Sequence, residues 1–280
     1  RAPHFFGDGF RVHNFIPSTY RLDMERMNPI IMLDYNSKYN FTPTDTPRGV
    51  GVHPHRGFET VTIAYKGQVE HRDSAGGGGI IGEGDVQWMT AASGVLHKEY
   101  HESEWSKKGG DFQMIQLWVN LPAKDKMSAP KYQALQNEQI SKYPIGEQGS
   151  HIEIIAGSYN EMAGSASTFT PINLYNVKLK KGDTATLNLP RNFNTGMLVV
   201  EGDINVNTDD HAPVDHFVLM NNDEEEFTIT ANEDAVVFVF SGEPINEPIA
   251  SHGPFVMNTR QELLQAFEDF NQGKFGTLED

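Results

Sequence analysis

The chain has 280 residues, enough for two domains of ordinary size or for one large all-β unit. Its 22 Lys and Arg residues against 38 Asp and Glu residues give a formal net charge of −16, which disfavours direct binding to nucleic acids and anionic membranes. The absence of cysteine excludes disulfides, zinc–thiolate sites and thiol catalysis, and it fits a reducing compartment, so we expect a cytoplasmic protein.

Most of the sequence has the pattern of short β-strands separated by turns. Segments rich in β-branched and aromatic residues predict strands, in chain order, at Thr60–Tyr65, Gln116–Val119 and Ala235–Phe240. Glycine-rich turns recur between such segments, as at Gly76–Gly79, which we predict to be a flexible hairpin tip, and at Gly82–Asp85. This spacing indicates an antiparallel sandwich or barrel, and the predicted fold class is all-β.

An internal repeat indicates two similar modules. The segment His53–Glu70 aligns without gaps on Asn188–Asn205, with arginine, phenylalanine, threonine and glycine recurring at matched positions. The polar stretch Lys124–Gly149, which contains prolines and glycines, is the natural connection between the copies. We therefore predict two tandem modules, residues 1–135 and residues 136–280.

A strong helical pattern lies near the end of the chain. Thr259 followed by Glu262 predicts a capping box, and Gly273 predicts the end of the helix. The apolar residues that we predict to share one helical face are Leu263, Leu264, Phe267 and Phe270. We assign this short helix to the second module, where it is expected to pack on the β body.

Four polar side chains at strand-like spacing predict a metal site. His53 and His55 project to one face of an extended strand, because residues two apart do so, and His97 and Glu99 repeat the spacing. Three neutral imidazoles and one carboxylate leave coordination positions open for water, a substrate oxygen or O₂. Glu59 has the parity of His55, so the spacing leaves the choice of carboxylate between Glu59 and Glu99 open.

The second copy of the repeat lacks these donors. Asn188 and Pro190 stand opposite His53 and His55 in the alignment, and a proline side chain cannot bind metal. We therefore expect one metal ion per chain, in the N-terminal module, and a second module that is structural or regulatory.

Other residues of catalytic type are expected to have structural roles. His71 and Asp73 lie in a turn-like segment that favours local hydrogen bonding, and His101 lies beyond the metal motif and is expected to be exposed. Ser74 and Ser93 lack the sequence context of a nucleophilic serine. The histidines without a spaced partner are expected to be packed or surface residues: His4, His13, His151, His211, His216 and His252.

Four stretches of the sequence resemble the pirin family of the cupin superfamily. They are HPHRGFETV from His53, GDVQWMTAASGVLHKE from Gly84, QLWVNLP from Gln116 and HGPFVMNT from His252. The resemblance covers nearly the whole chain. It implies two tandem cupin β-sandwich modules, a degenerate second module, and one iron, as Fe(II) or Fe(III), in the first.

The same resemblance implies the metal ligands and a function. The implied iron ligands are His53, His55, His97 and Glu99, so the carboxylate choice falls on Glu99. Several bacterial pirins are similar to quercetin 2,3-dioxygenases, so we expect a dioxygenase that opens flavonols with O₂ and releases carbon monoxide, with Glu99 as catalytic base. The residues expected to line an aromatic-binding pocket, or else the core, are Trp88, Met89, Met114 and Trp118.

Two alternatives fit the same four residues. Mammalian pirins are transcriptional coregulators, which implies a non-catalytic protein whose iron oxidation state controls the binding of a protein partner. A zinc or nickel hydrolase is a third hypothesis, because nitrogen and oxygen donors do not select one divalent transition metal.

Overall fold

The computed structural model describes residues 2–18 and 21–280, which form mainly antiparallel β-strands. The chain divides into two compact units. The first unit comprises Arg1–Asn137 and Ile245–Asp280, and the second unit comprises Glu138–Pro244. The prediction of an all-β fold with two modules and a short C-terminal helix is confirmed. In the described residues, none of the helices has the length and apolar character needed to span a bilayer.

The strands, in chain order, are β1 (His4–Phe6), β2 (Phe10–Ile16), β3 (Ile30–Phe41), β4 (Gly49–His55), β5 (Phe58–Lys66), β6 (Val69–Asp73), β7 (Gly78–Ile81), β8 (Val86–Thr90), β9 (Val95–His101), β10 (Gly110–Asn120), β11 (Lys131–Leu135), β12 (Ser141–Ile145), β13 (Ser150–Ala156), β14 (Ser158–Tyr159), β15 (Met162–Ala163), β16 (Ile172–Leu179), β17 (Thr184–Asn188), β18 (Asn194–Glu201), β19 (Asp203–Val206), β20 (Asp210–Pro213), β21 (Phe217–Leu219), β22 (Glu226–Ala231), β23 (Ala235–Gly242), β24 (Ala250–His252) and β25 (Phe255–Met257). The α-helices are α1 (Met24–Met27), α2 (Ser103–Lys108) and α3 (Arg260–Asn271).

The two units repeat one sheet arrangement. In the first unit, one sheet has the order β1-β2-β3-β10-β5-β8-β11 and the other β4-β9-β6-β7. In the second unit, the orders are β12-β13-β16-β23-β18-β21 and β17-β22-β19-β20. The sequence repeat aligns β5 with β18, and the glycine after each strand has a positive φ, 85° at Gly67 and 83° at Gly202. Only glycine adopts such a φ without strain, which explains why it recurs at this turn.

The last part of the chain lies in the first unit, so the structure divides the chain differently from the predicted 1–135 and 136–280. Arg56 Nη1 and Asp269 Oδ2 form a buried ion pair at 2.9 Å, and the Ser74 hydroxyl donates to the Phe275 carbonyl at 2.6 Å. Burial of apolar side chains explains this placement. The cluster that forms here comprises Phe255, Met257, Leu263, Ala266 and Phe275, with Leu96 of β9 packed against it.

Helix α3 begins as predicted but buries a different face. Thr259 caps it, because its hydroxyl accepts a hydrogen bond from the Glu262 N–H at 3.2 Å. Leu264 is 61% exposed and Phe270 is 38% exposed, so the predicted shared apolar face is wrong at these two residues. The buried stripe, which follows a three-residue spacing, comprises Leu263, Ala266 and Asp269.

Candidate metal centre

Three histidines converge where β4 and β9 lie side by side. His53 pairs with His97 across the two strands, and their ring centroids are 4.2 Å apart. His55, two residues further along β4, lies 4.8 Å from His97 by the same measure. One ring nitrogen from each of the three lies within 4.8 Å of the others. Strand alternation therefore brings these three side chains together as the sequence predicts, at a spacing that one metal ion can bridge.

Local hydrogen bonds orient two of these rings. His53 Nδ1 lies 2.7 Å from the Gly51 carbonyl oxygen, and His55 Nδ1 lies 3.3 Å from that of Pro254. A carbonyl only accepts hydrogen bonds, so each Nδ1 carries the proton and each Nε2 keeps its lone pair. This is the usual arrangement of a metal-binding histidine with an oriented ring.

The buried Nε2 of His97 shows whether a metal ion fits this cluster. His97 is 1% exposed, and its buried Nε2 has no hydrogen-bond partner in the described parts of the chain. A buried polar atom without a partner is costly, and a metal ion beside His53 and His55 would satisfy it. The residues therefore fit a metal of the type bound by imidazole nitrogen.

Burial also sets the charge of the cluster. Burial, reinforced by the nearby charge of His53, lowers the pKa of His55 to about 3. Burial likewise lowers the pKa of His97 well below its usual range, with His55 and His53 adding to the effect. Both imidazoles are consequently neutral at physiological pH, which is the form that binds metal.

Glu99 lies beside the histidine cluster, and amide groups orient its carboxylate. Its Oε1 accepts from the Gln87 side-chain amide at 2.8 Å, and its Oε2 accepts from that of Gln116 at 2.9 Å. Its carboxylate forms a second group of donor atoms with His71 and His97, all within 4.8 Å of one another. Glu99 is therefore a neighbour of His97, held from β8 and β10.

Glu59 lies away from this cluster. Along the unbroken register of β5, Thr62 contacts Glu99 at 3.4 Å, and Glu59 projects from the opposite face of the strand. The parity argument that linked Glu59 to His55 fails because Gly57, with a φ of 94°, separates β4 from β5. Burial raises the pKa of Glu59 to about 7, although a hydrogen bond from Thr90 acts against this shift.

The structure adds residues that the sequence reasoning missed. His71 and Asp73 do form a local hydrogen bond, but in the strand β6 rather than in a turn, and His71 is completely buried beside His97. His101 was expected to be exposed, yet it is 1% exposed and bonds to the Gly9 carbonyl at 2.7 Å. Val69, His71 and Asp73 share one parity and alternate with the charged Glu70 and Arg72, and this alternation was the available signal for a strand with His71 and Asp73 on its inward face.

A cavity of about 690 Å³ in the first unit opens beside the histidines. Its polar lining includes His53, His55 and Gln116. The apolar side chains of its wall are Ala2, Phe6, Met32, Val50, Pro54, Trp118 and Pro254. Trp118 is therefore the one predicted pocket residue on this wall, whereas Trp88, Met89 and Met114 are buried in the core.

The second unit also has a cavity, of about 570 Å³, but no comparable donors. In the part of the chain that the structure describes, no group of three His, Asp or Glu ligand atoms at metal-binding spacing lies in this unit. The cavity includes Leu189 and Pro190, the repeat counterparts of Pro54 and His55.

Comparison with known proteins gives one consistent family. The model of the family described as Pirin matches residues 9–119, and that of the Pirin C-terminal cupin domain matches residues 174–276. A protein of Pseudomonas aeruginosa, provisionally named a quercetin 2,3-dioxygenase, is 44% identical over 97% of this chain and 94% of its own. Pirin of Mus musculus is 34% identical over 96% of this chain and 89% of its own. The crystal structure of a quercetin 2,3-dioxygenase from Acinetobacter baumannii matches with a TM-score of 0.93 and 48% identity, covering 100% of this chain and 96% of that one.

Proposed function

The chain belongs to the pirin family of two-module cupins, and from this membership we propose that it is an iron-dependent dioxygenase of quercetin-type flavonols. The proposed ligands of one iron ion are His53, His55, His97 and Glu99. The observation that carries the proposal is the convergence of three imidazoles, with the partnerless Nε2 of His97 among them, beside an apolar cavity. The names of the bacterial relatives supply the substrate class.

Bound iron would act as a Lewis acid, lowering the pKa of a flavonol hydroxyl and bringing the substrate and O₂ together. The protein residues would bind and orient the flavonol. Trp118, stacked on Phe58 with ring centroids 4.2 Å apart, gives the cavity a rigid aromatic wall for a planar ring system. The apolar lining would exclude bulk water from the reacting centre.

Glu99 is the group that we assign to the proton of the flavonol hydroxyl. Gln87 and Gln116 hold one oxygen each, so the carboxylate keeps a fixed orientation beside His97. An oriented carboxylate within reach of a substrate hydroxyl is suited to act as a general base. Glu99→Gln keeps the size of the side chain while removing the base.

The test uses the complete chain, freed of metal and loaded anaerobically with Fe(II). We expect added quercetin and O₂ to give loss of flavonol absorbance together with release of carbon monoxide, and we expect Glu99→Gln to abolish both. His216→Ala, at an exposed residue of the second unit, is the matched control and should retain full activity. Iron at one ion per chain with unchanged flavonol and no carbon monoxide would overturn the dioxygenase proposal.

A further inference from the structure

A buried chain of side chains reaches His97 from the side opposite its Nε2. Asp73 Oδ2 lies 3.1 Å from His71 Nε2, and His71 Nδ1 lies 3.4 Å from His97 Nδ1. From this geometry we infer that Asp73 and His71 are positioning residues, which keep the His97 proton on Nδ1 and leave Nε2 free to bind metal. The inference rests on the metal site proposed above.

The direction of these hydrogen bonds follows from Asp73, the residue furthest from the metal site. Asp73 Oδ1 accepts hydrogen bonds from the Ala75 and Gly77 N–H groups, at 2.9 and 2.8 Å. Three donors therefore converge on the Asp73 carboxyl group, namely these two N–H groups and His71 Nε2, and this is the environment of a carboxylate that acts only as an acceptor. An ionised carboxylate only accepts hydrogen bonds, so His71 must donate to it from Nε2.

The proton positions of the two imidazoles then follow one from the other. A neutral imidazole that donates from Nε2 has a lone pair on Nδ1, so His71 accepts the Nδ1–H of His97. His97 in turn keeps its lone pair on Nε2, the buried atom that has no hydrogen-bond partner in the described residues. A carboxylate that orients a metal-binding histidine is a recurrent device, and here a second histidine is inserted between them.

Packing fixes the positions of the His71 ring and the Asp73 carboxylate. His71 stacks on Tyr132, with ring centroids 5.1 Å apart and an interplanar angle of 13°, so its ring cannot turn freely. A side chain at position 77 would bring a Cβ within 2.3 Å of Asp73 Oδ2, which accounts for glycine there. Part of the glycine run that the sequence indicated to be a flexible tip thus wraps around the Asp73 carboxylate.

A competing role for His71 is direct metal binding, because His71, His97 and Glu99 also group within 4.8 Å. Both nitrogens of His71 already have partners, however, and binding a metal would break one of the two hydrogen bonds. Positioning is therefore the role that preserves every observed contact.

The test is Co(II) binding to metal-free protein, with the dissociation constant and the visible spectrum as readouts. His71→Leu removes both hydrogen bonds, so we expect about 10- to 100-fold weaker binding. His71→Gln can donate through its amide nitrogen and accept through its oxygen, so we expect affinity within roughly threefold of the original. His101→Gln changes a buried histidine that takes no part in the hydrogen bonds between Asp73, His71 and His97. It controls for general loss of packing and should leave the affinity unchanged.

Asp73→Asn is the most specific variant. It keeps the shape of the side chain but places an NH₂ donor where the carboxylate oxygen accepted from His71. Its oxygen must accept from the Ala75 and Gly77 amides, so its NH₂ faces His71 and forces the opposite proton arrangement. That arrangement places a proton on His97 Nε2, and we expect Co(II) binding to weaken as much as in His71→Leu.

Two results would overturn the inference. The first is wild-type affinity in both His71→Leu and Asp73→Asn, when the original protein binds one Co(II). The second is an X-ray absorption spectrum of Co(II)-loaded His71→Gln with one imidazole fewer than the original, because His71 would then be a ligand. Neither readout requires flavonol turnover, so a failed dioxygenase assay leaves the inference standing, whereas a wild-type chain that binds no Co(II) would overturn both proposals.

Discussion

The two units share one strand order but fill matching interior positions with opposite chemistry. In the first unit, Thr62 on β5 is paired with Gln87 on β8 and Gln116 on β10. At the matching register of the second unit the residues are Met197, Val218 and Val239. Likewise, His71 pairs with Glu99 in the first unit, whereas Val206 pairs with Ile229 in the second.

This difference distinguishes the interior residues that the β-fold requires from those that only the metal site requires. Met197, Val206, Ile229 and Val239 all belong to the buried apolar cluster of the second unit, which is stabilised by ordinary hydrophobic burial. The same arrangement of strands in the first unit surrounds a polar interior, which is tolerated because its members bond to one another. The β-scaffold therefore does not require the histidines and amides, and their presence in one unit indicates a function.

The largest effect on stability is expected when a carboxylate is placed in the interior of the second unit. Ile229→Glu copies Glu99 into a site where Val218 and Val239 stand at the positions of the two glutamines, so we expect a loss of about 3–5 kcal/mol in the free energy of unfolding. Urea denaturation would measure it. Ile229→Leu is the matched control, with an expected loss below about 1.5 kcal/mol. A tolerated glutamate would show that the apolar cluster is not what stabilises this unit.

Removing one donor from the first unit should abolish metal binding and leave the fold intact. In His97→Ala we expect the iron content, measured by elemental analysis, to fall from about one ion per chain to nearly none, with an unchanged circular dichroism spectrum. His252→Ala, at an exposed histidine, should retain the full load. A full metal load in His97→Ala would refute the proposed ligand set.

Matched arginines offer a smaller contrast between the units. Arg56 pairs with Asp269 in a buried setting, whereas its repeat counterpart Arg191 lies 3.7 Å from Glu225 with both side chains more than half exposed. We expect Arg56→Ala to lower Tm by several degrees, because it leaves Asp269 without its buried partner. Arg191→Ala should change Tm by less than about one degree, because exposed ion pairs contribute little. Equal shifts in thermal unfolding would contradict this reasoning.

The smallest effect concerns Glu59, whose repeat counterpart is the neutral amide Asn194. With a pKa of about 7, Glu59 holds a proton in the folded state between pH 4.5 and 7 that the unfolded state loses, so stability falls as the pH rises through this range. Glu59→Gln should therefore gain about 1–3 kcal/mol over the original protein at pH 8, and nothing near pH 4.5. Denaturation at the two pH values measures the gain, and a gain independent of pH would exclude the carboxyl as its cause.

The sequence contains the primary donors but not their surroundings. Spacing by two within a strand is a local property, so His53, His55 and His97 were predictable from the chain itself. Gln87 and Gln116 meet Glu99 from two other strands, and the register between strands is not encoded in any one of them.

Boundaries were harder to predict for a related reason. The repeat indicated two modules, but Ile245–Asp280 lies with the first unit through contacts such as Arg56–Asp269, which join residues far apart in sequence. The burial of His101 likewise depends on distant aromatic neighbours, including Phe10, Phe41 and Phe112, that local pattern cannot reveal.

The return of the C-terminal segment has a consequence for the order in which the protein can form. The second unit is an insertion within the first, so a ribosome makes all of Glu138–Pro244 before the last helix of the first unit exists. Asp269 is synthesised 213 residues after its partner Arg56, and the Pro254 carbonyl that orients His55 is also synthesised late. The second unit can therefore fold first during synthesis, and the histidine site is completed only when the end of the chain emerges.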